Sequence, residues 1–331
     1  SLTGSDINTK RQEIIDYFNI SFSLYEELFS LISDEGFYIQ AEPLRHPLIF
    51  YFGHTAVFII NKLIISGVKI PRIDPNFESM FAVGVDEMSW DDIDEKNYNW
   101  PTVNEVREYR EKVKKFFNEY LEKLEFTLPI NWENPMWIAL MIADHEKIHL
   151  ETSSVIMRRL PLKFFKNDKK IIDEKWRICE EMINDKEKCL PNEYIQIPGK
   201  EITIGKQKST SDYFGWDVEY GKMNTKINDF SVNKFLTTNK EFLEFVKEDG
   251  YSTQEYWTEE GIKWLRYQTL NRPVFWSEDH TKLRLFNCEI AMPWDWPVEV
   301  NYLEAKAYCN WQKKKTGKYT RLLTEPEWHL L

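Results

Sequence analysis

Two histidines four residues apart are the side chains in this sequence best suited to metal chemistry. They are His145 and His149, in the segment HEKIHLE, whose flanks have the apolar pattern of a helix. Residues i and i+4 lie one turn apart on the same helical face, so both imidazoles can bind one metal ion from the same side. Glu151 follows His149 by two positions, about 200° around the helix, and is predicted to point away from that face. We interpret Glu151 and Asp144 as residues that form a second-sphere contact or a salt bridge rather than as metal ligands.

A third candidate ligand, His54, lies in a second apolar helical run that follows Pro47. If one helix supplies two histidine ligands and the other supplies one, half of an octahedral coordination sphere stays open. This arrangement is typical of a reactive metal and not of a structural one. Neutral imidazole suits iron, zinc, copper or nickel, so the spacing does not name the metal. The alternative is that the histidines are structural and share helical spacing by chance.

Four helical runs are predicted to position these ligands. They cover residues 8–32, the run around His54, residues 102–124 and residues 135–159. Four helices with inward-facing ligands describe a four-helix bundle with a site in its core. The long connection over 67–101 contains Val85 to Asp92, which resembles a Ca²⁺ loop but lacks the glycine and terminal glutamate of an EF-hand. It is interpreted as a structured, helix-capping connection.

The second half of the chain has a different pattern. From residue 191 short strand-like runs, over 194–199, 201–205 and 230–235, alternate with turn residues, and helices are predicted over 239–248 and 302–313. Irregular α+β structure rich in aromatic residues is the interpretation. A length of 331 residues suits two domains.

Composition excludes several classes of protein. The net charge of −11, without a basic stripe, argues against binding to nucleic acid. The apolar run over 48–65 is interrupted by polar residues, so a buried helix is expected and a membrane span is not. No N-terminal signal pattern is found, and a cytoplasmic protein with reduced thiols is predicted. The four cysteines are Cys179, Cys189, Cys288 and Cys309, and they form no CxxC pair.

Two arginines on the third predicted helix form a candidate substrate-binding pair. Arg107 and Arg110 are three positions apart, and arginine forks bind carboxylates with two hydrogen bonds, so an amino-acid-like substrate could bind there. The alternative is a solvated helix face on which they pair with Glu108 and Glu111. On the residues alone, the solvated face is favoured.

Long motifs in both halves resemble the 5-histidylcysteine sulfoxide synthase family of the ovothiol pathway, which is related to the ergothioneine-pathway sulfoxide synthases. In the first half the motifs are LRHPLIFYFGHTA (44–56), GVDEMSWDD (84–92) and HEKIHLETSS (145–154). In the second half they are FGWDVEYG (214–221), WDWPV (294–298), EAKAYCNW (304–311) and RLLTEPEW (321–328). The resemblance therefore covers the whole chain.

The resemblance implies a fold and a reaction. A DinB-like four-helix bundle is expected over 1–163 and a formylglycine-generating-enzyme-like, C-type-lectin-like domain over 191–331. The charged stretch between them, 164–190, is itself predicted to be a linker helix. By resemblance, His54, His145 and His149 hold a non-haem Fe(II). The implied reaction uses O₂ to join the sulfur of L-cysteine to an imidazole carbon of L-histidine, with oxidation to the sulfoxide.

The resemblance also bears on other residues. Arg107 and Arg110 match arginines that hold the carboxylate of the thiol substrate in the ergothioneine relative. The catalytic tyrosine of the family is expected beyond Leu331, so the second domain is expected to be incomplete and turnover weak or absent. Two alternatives stay open, a DinB-type thiol transferase that uses Zn²⁺ without O₂ and an inactive metal-binding fragment. Oxygen dependence and a turnover assay distinguish them.

Overall fold

The computed structural model describes residues 1–82, 99–166, 191–208 and 212–331. The chain forms two compact units, unit 1 from Ser1–Arg177 with Lys208–Asp217 and unit 2 from Ile178–Gln207 with Val218–Leu331. The predicted connection motif over 85–92 and most of the predicted linker helix over 164–190 lie outside the described residues. The predicted domain boundaries stay a prediction.

Unit 1 is built on four long helices, which lie where the sequence predicts them. The ends of the three helices predicted with bounds differ from those bounds by one or two residues. The helices are α1 Ile7–Ser30, α2 Leu48–Ile65, α4 Val103–Lys123 and α5 Met136–Arg158, and a short helix, α3 Pro75–Met80, lies between α2 and α4. Helix α3 lies within the stretch predicted as a connection.

Local sequence explains where these helices start. The Asp6 carboxylate accepts a hydrogen bond from the Thr9 backbone N–H and caps α1. At α4, Thr102 and Glu105 form a capping box in which each side chain binds the backbone of the other. Pro75 occupies the first turn of α3, where a missing N–H costs nothing.

Helix α2 is the central element of unit 1 and packs against α4 and α5. Its length and composition alone would allow it to cross a membrane, but 78% of it is buried inside the protein, and a buried core helix meets the same criteria. An aromatic cluster surrounds it, in which Phe29 stacks on Phe52 with ring centroids 4.8 Å apart. Burial on every side explains why α2 is apolar around its whole circumference.

Residues 212–217 belong to unit 1, although they lie beyond its helices in sequence. The Trp216 indole N–H donates a hydrogen bond of 2.6 Å to the Asp144 carboxylate on α5. Phe214 packs against Trp137 with ring centroids 5.0 Å apart. The motif over 214–221 that supports the family resemblance is therefore divided between the two units.

Unit 2 consists of short antiparallel ribbons and four helices in its described part. The ribbons pair β1 Tyr194–Ile197 with β4 Phe230–Asn233, β2 Glu201–Ile204 with β3 Met223–Lys226, and β5 Lys282–Arg284 with β6 Glu289–Ala291. The helices are α6 Asn239–Lys247, α7 Glu259–Gln268, α8 Tyr302–Thr316 and α9 Glu325–Leu330. The sequence predicts α6, α8, β1, β2 and β4, but it does not predict the others.

Aromatic side chains form the core of unit 2. Phe245 is fully buried and contacts both Tyr251 and Trp311, with ring centroids 5.8 Å apart in each pair. Cys288 and Cys309 are free thiols in this unit, as predicted, whereas the other two cysteines lie outside the described residues. The described architecture is helical in unit 1 and mixed helix and sheet in unit 2.

Candidate metal centre

Three histidines converge in the core of unit 1. His54 comes from α2, and His145 and His149 come from α5. One ring nitrogen from each lies within 4.8 Å of the others. The His54 ring centroid is 5.4 Å from that of His145 and 4.8 Å from that of His149. The structure therefore brings together the three residues that the sequence singles out as ligands.

A backbone carbonyl orients His54. Its Nδ1 lies 2.8 Å from the Phe81 carbonyl oxygen, which can only accept, so Nδ1 carries the proton and Nε2 keeps its lone pair. Gly53 permits this approach, since a Cβ atom there would lie 2.7 Å from the Phe81 ring. The Asn61 side chain donates to the Glu78 carbonyl of α3 and holds the preceding turn in place.

Aromatic contacts and helical spacing orient the other two histidines. The His145 ring stacks on Phe58, with centroids 3.6 Å apart and ring planes 6° from parallel. The Nε2 atoms of His145 and His149 lie 3.2 Å apart. Two nitrogens bound about 2.1 Å from one cation at right angles would lie about 3.0 Å apart, so this separation suits shared coordination. The two Nδ1 atoms are buried and have no hydrogen-bond partner among the described residues.

Burial keeps all three imidazoles neutral at pH 7. It lowers the pKa of His54 to about 4 and that of His149 to about 3, against an ordinary value of 6.5. The pKa of His145 is also lowered well below its usual range, by burial first and then by the neighbouring histidines and Lys62. A neutral imidazole presents a lone pair to a metal without first releasing a proton.

The donor set fits a first-row transition metal. Three neutral nitrogens from two helices match the preferences of Fe(II), Zn²⁺, Cu²⁺ or Ni²⁺, and the hard, oxygen-preferring ions Mg²⁺ and Ca²⁺ are poor matches. The arrangement can hold such an ion from one side and leave its other positions to substrates. The assignment of the three histidines as ligands stays a prediction.

The structure gives Arg110 a different place from the one predicted. Its guanidinium is completely buried. It donates to the Phe52 carbonyl at 2.7 Å and to the Glu146 carboxylate at 2.9 Å, and it pairs with Glu26. These protein acceptors occupy the fork that a substrate carboxylate would need. The placement argues against the substrate-binding role predicted for Arg110 and gives it a structural one.

The remaining predicted residues lie apart from this cluster. Arg107 is partly exposed on α4, and its substrate-binding role stays a prediction. Glu151 is exposed, and Asp144 accepts the hydrogen bond from Trp216 described above.

Sequence reasoning did not find two further residues beside the histidines. They are Thr55 and Glu146, which are buried polar side chains bound to Arg110. Each directly follows a candidate ligand, His54 or His145. The available signal in the sequence was a polar residue at a helix position that the apolar pattern assigns to the core.

Two family models match the chain, one for each half. The DinB superfamily model matches residues 18–153, and the model of the sulfatase-modifying factor enzyme 1-like domain matches residues 180–330. These matches confirm the predicted fold class, a DinB-type helical region followed by a sulfatase-modifying-factor region.

Several characterised proteins are similar to this chain. Ergothioneine biosynthesis protein 1 of Schizosaccharomyces pombe is 23% identical over 319 residues, which cover 85% of this chain and 37% of the relative. The protein of the same name from Neurospora crassa is 25% identical, over 62% of this chain and 24% of the relative. Hercynine oxygenase of Mycolicibacterium smegmatis is 30% identical, over 40% of this chain and 30% of the relative.

The chain spans between 24% and 37% of the length of these three relatives. The match to the Schizosaccharomyces pombe protein covers both halves of the chain, and the similarity is therefore not confined to a single shared domain. These comparisons confirm the predicted relationship to the ergothioneine-pathway enzymes.

Proposed function

We propose that this chain, a relative of the ergothioneine-pathway enzymes, acts as an iron-dependent sulfoxide synthase. The observation that carries the proposal is the cluster of three histidines, one buried and two half-buried, whose ring nitrogens lie within 4.8 Å of one another. That cluster lies in the DinB-type region of a chain that also matches a sulfatase-modifying-factor model. A DinB-type thiol transferase would explain the histidines but not the second match.

The finer proposal names the substrates as L-cysteine and L-histidine. The sulfur of cysteine forms a bond to an imidazole carbon of histidine and loses its proton, and that carbon also loses its proton. One oxygen atom of O₂ goes to the sulfoxide and the other leaves as water. The thiol, the C–H bond and O₂ therefore balance without an additional reductant. The motifs shared with the ovothiol-pathway family support this choice of substrates.

The protein's own residues hold the reactants in place. His54, His145 and His149 would hold Fe(II) from one side and leave its opposite face to the reactants. When bound, Fe(II) would supply the redox contact between O₂ and a thiolate, whose formation it favours by lowering the thiol pKa. Positioning of the imidazole beside the sulfur confines oxidation to one carbon. Of the two predicted arginines, Arg107 is the one that remains available to bind a substrate carboxylate.

The test is an anaerobic reconstitution with Fe(II), followed by L-cysteine, L-histidine and O₂. Mass spectrometry then looks for an adduct of the two amino acids that contains one additional oxygen atom. We expect the adduct, even at low yield, with the unaltered chain and none with His145→Ala. A matched control is His280→Ala, which removes a histidine of unit 2 and should leave adduct formation unchanged.

Substrate exchange separates the coarse proposal from the fine one. Replacement of L-histidine by hercynine tests the compound named in one of the relatives, the hercynine oxygenase of Mycolicibacterium smegmatis. An adduct with hercynine alone would keep the sulfoxide synthase and contradict the L-histidine assignment. Thiol transfer by the Zn²⁺-loaded chain in the absence of O₂ would favour the transferase. Iron binding without an adduct under any of these conditions would contradict the proposed activity.

A further inference from the structure

Two polar residues that directly follow candidate metal ligands bind each other in the core of unit 1. Thr55 follows His54 on α2, and Glu146 follows His145 on α5. The Thr55 hydroxyl lies 3.3 Å from the Glu146 carboxylate and donates to it. Consecutive helical residues point about 100° apart, so each helix turns a histidine towards the metal centre and its neighbour towards this second contact.

Arg110 joins this pair into a closed triangle. One guanidinium nitrogen donates to the Thr55 hydroxyl at 2.6 Å, and another donates to the Glu146 carboxylate at 2.9 Å. The same guanidinium binds the Phe52 carbonyl on α2 and pairs with Glu26 on α1. From its place on α4, a single side chain therefore contacts each of the other long helices.

Burial of this charged group demands an explanation other than stability. A buried ion pair usually contributes little net free energy, and an apolar replacement of similar volume is often as stable. Buried polar groups do fix register, because a planar fork accepts only one arrangement of its partners. A slip of one residue between α2 and α5 would move them by about 1.5 Å and break these bonds.

A metal site requires this control of register. Its ligand distances tolerate errors of about 0.2 Å, and here one ligand comes from α2 and two come from α5. We propose that the triangle of Arg110, Thr55 and Glu146 is the positioning device that holds α2 and α5 in the register which brings His54 onto the same metal as His145 and His149. This inference rests on the proposed three-histidine site.

The test compares two variants that each remove one buried, hydrogen-bonded hydroxyl. Thr55→Val removes the triangle hydroxyl and keeps the side-chain shape. The matched control is Ser153→Ala, which removes a fully buried hydroxyl of α5 whose one partner among the described residues is Tyr25 on α1. The readouts are the dissociation constant for Co(II) and the visible absorption of the bound Co(II), which reports ligand geometry, together with unfolding in urea.

We expect Thr55→Val to weaken Co(II) binding by about 10- to 100-fold, the range usual for residues that orient ligands, and to change the absorption spectrum. Ser153→Ala should lose similar stability and keep both the affinity and the spectrum. Thr55→Ser, which restores the hydroxyl, should restore both. Because the test does not alter Arg110, it does not depend on a variant that could fail to fold.

Two results would overturn the proposal in distinguishable ways. Equal Co(II) affinity and equal spectra in Thr55→Val and Ser153→Ala would show that the triangle serves only stability, while the metal site would stand. No Co(II) binding by the unaltered chain would remove the metal site itself and the positioning role with it.

Discussion

The cores of the two units use polar groups in different ways. In unit 2 the Trp311 indole N–H donates at 2.8 Å to Glu248, a half-exposed carboxylate at the edge of the core. The charged group buried in this aromatic core is the Glu304 carboxylate in the first turn of α8, which accepts from the Tyr251 hydroxyl. In unit 1 a charged guanidinium and the His54 imidazole are buried between the helices, and the half-buried imidazoles of His145 and His149 lie beside His54.

This difference indicates where function is built. Polar groups at the edge of an aromatic core meet the need that every buried donor has a partner. Polar groups at the centre of a bundle cost desolvation free energy that apolar residues would not, so they are retained for what they arrange. In the described part of the chain, the one cluster of potential metal ligands lies in unit 1. Unit 2 is expected to tolerate changes that unit 1 does not.

Removal of the central charge of unit 1 should have the largest effect. Arg110→Met keeps an apolar stem but leaves the Glu146 carboxylate, which is 1% exposed, without its cation. We expect a loss of about 3–5 kcal/mol in the free energy of unfolding of unit 1, the usual cost of breaking a buried pair. Hydrogen exchange measured peptide by peptide separates unit 1 from unit 2.

The matched variant in unit 2 is Arg321→Met. Arg321 forms a two-pronged ion pair with Glu327, but its side chain is 42% exposed, so water replaces the lost contact. The loss should be much smaller than for Arg110→Met and confined to unit 2. Equal losses in the two units would contradict the contrast between their cores.

Substitution of two glycines, one in each unit, should cause a loss of stability of intermediate size. A Cβ atom at Gly53 would lie 2.7 Å from the Phe81 ring, and one at Gly250 would lie 2.4 Å from the Phe245 ring. Alanine at either position should cost about 1–3 kcal/mol through overpacking. Gly53→Ala should also weaken metal binding, because it displaces the Phe81 carbonyl that orients His54. Isothermal titration with Co(II) measures the affinity.

Gly250→Ala is the control in this pair, because it overpacks unit 2 to a similar degree and should leave the Co(II) affinity unchanged. If both variants weakened Co(II) binding equally, loss of stability rather than the orientation of His54 would explain the effect.

The sequence was sufficient to predict which histidines cluster, but not which residues hold their helices in place. Periodicity placed His145 and His149 on one helical face, and an apolar run placed His54 on another helix. The role of Arg110 could not be predicted, because Glu26 and Glu146 lie 84 and 36 positions away, and only tertiary packing brings them together. Local spacing therefore suggested an exposed pair with Arg107, and burial overrode that pattern.

Unit 2 shows the same limit at the level of secondary structure. The strand β5, of three residues, carries too short a pattern to be recognised and depends on β6 for its hydrogen bonds. Helix α8, which was predicted over 302–313, is longer, and the structure shows that it starts with a capping box formed by Asn301 and Glu304. Patterns confined to one element can be read from sequence, whereas those that need a distant partner cannot.

The last comparison concerns the response of the two units to acid. In the metal-free protein the pKa values of His54 and His149 lie at about 4 and about 3, below the ordinary 6.5. Between pH 6.5 and about 4 the unfolded chain binds more protons than the folded chain does. The stability of unit 1 therefore falls as the pH is lowered from 6.5. Hydrogen exchange at pH 8, 6 and 5 in the presence of a chelator measures this loss.

Unit 2 should respond over a lower range of pH. Hydrogen bonds from Arg321, and then from Thr324, lower the pKa of Glu327 from 4.5 to about 2. The contribution of this carboxylate is therefore complete above pH 4.5 and is lost as the pH falls through about 2. Glu327→Gln should remove this dependence without any change in unit 1. Parallel loss of protection in both units between pH 8 and pH 5 would show that the buried imidazoles do not distinguish their stabilities.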